Sequence, residues 1–243
     1  MISTMNKSTA ETGAGRKKQE LTPDKSIFMI TLFANQKGGV GKSTLAVLFA
    51  NYLSLVQNKE VVLFDMDNQR SIYNKFQAAQ VLENKPLYEV EAAEMEQFAT
   101  INSIVRENEN LVTILDVAGN IENDHLIPIF QGVDLIICPF AYDEFSVGAT
   151  IDFSEVVRTL NEKAKIIFIP NRIKTNVKYE TLESVNKVLS NFGAVTKPIP
   201  ERIDFQRITT FETPPSIIQV VSPVFDLIFN EFIHKYARSW EKV

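Results

Sequence analysis

The chain of 243 residues contains one cysteine, one tryptophan and two histidines. One cysteine forms no intrachain disulfide and argues for a reducing compartment. In the run Leu135-Ile136-Ile137-Cys138-Pro139 it reads as a small core residue. An excess of basic charge is missing too. The formal net charge is −5, so nothing attracts nucleic acid globally and any DNA binding must come from a local patch. No segment reads as apolar and long enough to span a membrane, and the N-terminus lacks the apolar core of a signal peptide. A cytoplasmic protein is therefore expected. There is no internal repeat, and low complexity is confined to the start of the chain. The bulk composition, 45% apolar and 23% charged, is that of an ordinary globular protein long enough to bury a core without staples.

Glycine is scarce as well, with nine residues, and that scarcity makes one stretch stand out. Residues 35–44 read Asn-Gln-Lys-Gly-Gly-Val-Gly-Lys-Ser-Thr. An apolar run, Ile27 to Ala34, precedes them as a buried strand, and Leu45 to Leu53 follows as a helix. A strand, a glycine-rich turn and a helix N-terminus together bind phosphate. The backbone N–H groups of Gly38, Gly39, Val40 and Gly41 approach oxygen closely, and the helix start adds partial positive charge. Lys42 reaches the β- and γ-phosphates, and the Ser43 hydroxyl, followed by Thr44, is placed to ligate Mg²⁺. The ordinary P-loop would have glycine where Gln36 stands, and here a second lysine, Lys37, opens the loop.

Further acidic positions fall at strand ends. Val61 to Phe64 runs into Asp65-Met66-Asp67-Asn68-Gln69, and Leu111 to Leu115 runs into Asp116-Val117-Ala118-Gly119. Carboxylates just past parallel strands lie at the ligand edge of an open α/β sheet. Asp116 reads as a Walker B aspartate holding Mg²⁺ through water. Asp67 reads equally well as the cap of the next helix. Other strands are expected at Leu87–Val90, Val133–Pro139, Lys165–Pro170 and Val195–Pro200, with helices over 120–131, from Asp143 to Leu160, over 179–192 and from about Ser216 or Ser222 to Trp240. Residues 1–24 read as a polar tail bearing Arg16-Lys17-Lys18, and 25–243 as a single domain. Strands alternating with helices predict an α/β fold: a three-layer, doubly wound, mainly parallel sheet with helices on both faces.

The string Lys37-Gly38-Gly39-Val40-Gly41-Lys42-Ser43-Thr44 resembles the deviant Walker A motif of the ParA/MinD family of P-loop ATPases, and the order of the later motifs resembles ParA/Soj-type partition ATPases. The resemblance covers roughly residues 27–238. It implies that two subunits sandwich two ATP molecules, with Lys37 reaching the nucleotide of the other subunit. Asp65 to Gln69 resembles the family's Asp-x-Asp-Pro-Gln segment, which implies that Asp67 positions the attacking water and Asp65 supports the metal shell. Asn68 replaces the family's proline and Arg70 a common glycine, so the loop's shape and the hydrolysis rate are open. By position, Asn171 and Pro200 would meet adenine, although Asn171 reads equally as a turn residue. The lone cysteine argues against the superfamily's iron–sulfur carriers. The tail is too short for the helix-turn-helix domain many plasmid relatives carry, so operator binding is not expected.

The resemblance thus implies a slow, partner-stimulated ATPase requiring ATP and Mg²⁺. It would be a homodimer that binds DNA without sequence preference through a local patch (Lys174, Lys178, Lys197, Arg202, Arg207) and responds to a ParB-like partner. Such switches segregate plasmids, chromosomes or conjugative elements. Two alternatives stay open: a MinD-like positioning ATPase at a membrane, and an ATP-binding dimerisation module with little hydrolysis. A small-molecule P-loop ligase shares the fold, but Lys37 argues against it.

Overall fold

The computed structural model describes residues 29–108, 111–119 and 123–235. The polar tail, with its basic cluster, and the end expected for the last helix at Trp240 lie outside the described residues. Seven strands form one sheet: β1 (Met29–Phe33), β2 (Glu60–Asp65), β3 (Glu89–Ala92), β4 (Leu111–Asp116), β5 (Leu135–Phe140), β6 (Lys165–Pro170) and β7 (Ala194–Val195). Their order is β3-β2-β4-β1-β5-β6-β7, and every neighbouring pair is parallel. The helices are α1 (Lys42–Leu55), α2 (Ser71–Val81), α3 (Phe98–Arg106), α4 (Leu126–Gly132), α5 (Glu144–Leu160), α6 (Leu182–Leu189) and α7 (Pro215–Ile228).

The central strands β1 and β5 are buried at every position, as expected of parallel strands covered on both faces. Met29 and Phe33 join a core with α1, α2 and α7, while Ile30 and Leu32 join a second core with α3 to α6. The edge strand β3 alternates instead. Its Glu89 and Glu91 face water, and a short charged edge resists pairing with other chains. Helix α1 is buried at nine consecutive residues, Leu45 to Leu53, because the sheet covers one side and α7 the other. Phe225 of α7 meets Phe49 and Tyr52 with ring centroids 5.0 and 5.5 Å apart. The phosphate loop therefore runs into the most enclosed helix of the fold.

Some elements are shorter than their periodicity predicts. Helix α6 occupies 182–189, because Tyr179 belongs to the preceding loop, where its hydroxyl accepts the Lys174 N–H and its ring meets Tyr142. Helix α4 begins only at Leu126. The expected strand 195–200 pairs only at its start, and Pro200 returns as an isolated bridge to Ile173. The last helix starts after Pro214 and continues into a π-helical turn, Phe229–His234. By length and hydropathy Pro215–His234 is long and apolar enough to cross a membrane, contrary to the expectation from the sequence. Its Ile217, Val221, Phe225, Ile228 and Ile233 are nevertheless spent on the core.

Candidate nucleotide site

Strand register brings the chemistry to one edge. In the β1–β4 ladder Phe33 lies beside Asp116, and in the β2–β4 ladder Asp65 does. The loop after β1 turns to one face of the sheet and the chain after β4 to the other, which opens a crevice between them. The loop 34–41 forms one wall. Gly41 is its last residue, at φ 95°, a conformation a side chain resists, and an added Cβ there would fall 2.4 Å from Asn171 Nδ2. No side chain caps α1, and no acidic residue occupies its first turn, so the helix start keeps its free N–H groups and its positive end for an anion.

The two lysines of the loop go different ways. Lys42 turns inward, and its Nζ donates to the Lys37 carbonyl at 3.4 Å. Burial pulls its ammonium below the usual lysine range, while the charges of Asp116 and Asp67 oppose that shift. Gly119 forms the floor beneath it, where a Cβ would meet the Gln36 carbonyl at 3.0 Å and Lys42 Nζ at 3.2 Å. Lys37 turns to the rim, where its Nζ lies 5.8 Å from the centre of the Phe145 ring. The loop is held from below by Asn35, which donates to the Pro139 carbonyl and to Thr150 Oγ1 at 2.8 and 2.9 Å and accepts the Lys37 N–H.

Asp116 is fully buried, and neither carboxylate oxygen has a hydrogen bond of good geometry. Burial pushes its carboxyl up to about 7; the charges of Asp65 and Asp67 add to the shift, and Ser43 and Lys42 pull against it. Two orphaned oxygens beside a hydroxyl and a helix N-terminus fit a hydrated Mg²⁺ and its phosphate. Mg²⁺ takes one or two protein oxygens and completes its shell with phosphate and water. Ser43 and, through water, Asp116 are the residues that would hold it. Among the described residues no group of three or more His, Cys, Asp and Glu could hold a metal alone.

Asp65 does not take the metal position expected for it. It is buried, and its Oδ2 accepts the N–H groups of Ile72 and Tyr73 at 2.9 and 3.0 Å while Oδ1 accepts that of Asp67 at 3.3 Å. Its carboxylate is spent on holding the start of α2 and the Asp67 loop. Asp67 is half-buried, with Oδ1 accepting the Gln69 N–H, and stands near Lys42. Arg70 adopts φ 48°, the left-handed conformation glycine would give there, and its guanidinium pairs with Glu94. The loop thus keeps its left-handed turn without the glycine.

On the other side of the loop, Asn171 and Pro200 line a cleft with Gly41, Thr44 and Arg202. Asn171 also supports the loop. Its Nδ2 donates to the Val40 carbonyl at 2.8 Å, and its buried Oδ1 has no partner among the described residues. Nothing in the sequence assigned a role to Arg172, which sits at φ 59° and donates to the Gly39 carbonyl at 2.8 Å and to Glu201. Its only signal was its place next to Asn171 at a strand end. Of the five basic residues read as a DNA patch, all are exposed, and Arg202 pairs with Asp204 at 3.0 Å.

A parallel sheet wound both ways, with a lysine-bearing phosphate loop and a buried strand-end carboxylate, defines a P-loop nucleotide-binding protein. Residues 31–215 match the CobQ/CobB/MinD/ParA nucleotide binding domain, and the chain belongs to that family. A search of curated protein sequences gave no significant match. Among solved structures, the chain is similar to a putative plasmid partition protein of Borrelia burgdorferi B31 bound to AMPPNP, at 22% identity and a TM-score of 0.62, covering 85% of this chain and 99% of that one. It is similar to a ParA family ATPase of Chlorobium tepidum TLS at 15% identity and TM-score 0.60, with 83% and 97% covered. It also resembles the MinD cell division protein of Aquifex aeolicus at 18% identity and TM-score 0.58, with 88% and 97% covered.

Proposed function

We propose that this chain is an ATP-dependent dimerising ATPase, a nucleotide switch that maintains a plasmid, chromosome or mobile element through sequence-independent DNA binding. The observation that carries the reading is the divergence of Lys37 and Lys42. Lys42 suffices for the phosphates of its own site. Lys37 leaves that site and stands at the rim, where a second copy would meet it. A lysine presented in trans can stabilise charge in the transition state as an arginine finger does. The related partition protein bound to AMPPNP supports the choice of nucleotide.

In this reading the N–H groups of residues 38–42 and Lys42 hold the phosphates, with Ser43 and Asp116 toward Mg²⁺. Bound Mg²⁺ supplies charge neutralisation at the phosphates. Asp67 orients the attacking water, and Asp65 fixes the loop that carries Asp67. Asn171 Oδ1 accepts from the adenine amino group, and Pro200 packs on the ring. Arg172 ties the phosphate loop to the base side.

The test compares ATP, ADP and no nucleotide, each with Mg²⁺, by light scattering for mass, by binding to arbitrary duplex DNA and by phosphate release. ATP alone gives dimers and salt-sensitive DNA binding. Lys37→Ala keeps nucleotide binding and loses ATP-dependent dimers. Dimers that persist in that variant refute the trans role. ATP dimers that ignore DNA and sediment with anionic vesicles replace the reading by the membrane-positioning alternative.

A further inference from the structure

Phe145 is the one aromatic among the large apolar side chains left exposed in the described residues, and it is 77% exposed. It contributes nothing to either core, yet its support is rigid. It sits in the first turn of α5, where Asp143 caps the helix by accepting the Ser146 N–H at 2.9 Å. Ser146 is fully buried, and its Oγ accepts the Ala141 N–H. The same helix holds the phosphate loop, because Asn35 donates to Thr150 Oγ1 and accepts the Lys37 N–H. The ring and the backbone of Lys37 are therefore registered through one buried contact. The result is a lysine ammonium within cation–π reach of a ring that is otherwise in water.

Lys37 has a competing attraction. Asp116 and Asp67 lie close enough to act on Lys42, whose Nζ donates to the Lys37 carbonyl, so they stand on the inner side of the same loop, and a lysine stem is flexible enough to turn toward them. A lysine drawn inward is lost to the partner. We infer that Phe145 is a positioning residue for Lys37, holding its ammonium at the rim so that it is presented to a second copy of the chain instead of to its own nucleotide. This rests on the trans role of Lys37 proposed above. In a two-fold dimer the contact occurs twice, so its loss is counted twice.

The dimer dissociation constant of the full chain, measured by sedimentation with a non-hydrolysable ATP analogue and Mg²⁺, tests this. ATP affinity is read separately below the dimerisation range. Phe145→Ala weakens the dimer by about 5- to 30-fold and leaves monomer ATP affinity unchanged. Phe145→Tyr restores the dimer, and Phe145→Leu, apolar but without a ring face, does not. A wild-type dimer constant in Phe145→Ala, or full rescue by Phe145→Leu, overturns the inference. Lys37→Ala is run beside them. If it leaves the dimer intact, the trans reading itself fails; if it abolishes the dimer while Phe145→Ala does not weaken it, only the role of Phe145 fails.

Discussion

Asp116 shows how burial at one residue shapes both stability and function. Its carboxyl is held at about 7, mainly by desolvation, well above the ordinary aspartate value. The folded chain therefore binds that proton more tightly than the unfolded chain does. The resulting stability is complete below about pH 4 and is lost as the pH rises through about 7. In the nucleotide-free protein, Asp116→Asn removes up to about 1.4 kcal/mol per pH unit from the slope of stability between pH 5 and 7, read from urea midpoints across that range. The same variant loses Mg²⁺-dependent nucleotide binding. The carboxylate was legible in the sequence as a strand-end aspartate. Its lack of hydrogen-bond partners was not, because that depends on which neighbours the sheet brings beside it. Asp65 makes the converse case. The family resemblance implied that it supports the metal shell, whereas the fold turns it toward the N–H groups of α2.

At the scale of elements, the Asp67 loop and the β6–β7 region carry constraints that periodicity does not reveal. Arg70 holds a left-handed conformation that glycine would hold more easily. Glycine would also add chain entropy to the unfolded state and lose the exposed Glu94 pair. These effects nearly cancel, so Arg70→Gly changes stability by less than about 1 kcal/mol. Arg70→Val, which resists positive φ, costs about 1–2 kcal/mol, and the difference between the two variants in thermal melts reports the backbone conformation. Gly193 was legible as a helix stop, and its N–H does close α6 on the Leu189 carbonyl. A tighter demand comes from β6. A Cβ at Gly193 would meet the Ile166 carbonyl oxygen at 2.1 Å, and backbone there cannot step aside. Gly193→Ala costs about 2–3 kcal/mol, visible as a lower denaturant midpoint at unchanged m-value.

For the whole molecule, the switch proposed above requires hydrolysis to end the ATP-bound state. Asp67→Ala retains ATP and the dimer and slows phosphate release by at least about 100-fold, since a positioned base or water-orienting group contributes about that much. Equal turnover in the variant would remove Asp67 from the mechanism. The same trapped dimer is the species in which to measure DNA affinity. If Lys174, Lys178 and Lys197 each meet a phosphate, removing all three lowers the salt slope by about three.

The sequence by itself determined the phosphate loop, the order of the strand-end aspartates and the alternation that makes a parallel sheet. These are local properties, since a glycine turn between a strand and a helix is specified by its own residues. Only the tertiary structure decided which groups share a space. It set Asp65 to hold α2, left Asp116 without a hydrogen bond of good geometry among the described residues, and used Asn171 and Arg172 to brace a loop more than 100 residues away. It also sent Lys42 inward and Lys37 outward onto Phe145. The direction of a side chain is fixed by the long-range packing around it, and neighbours along the chain do not supply that.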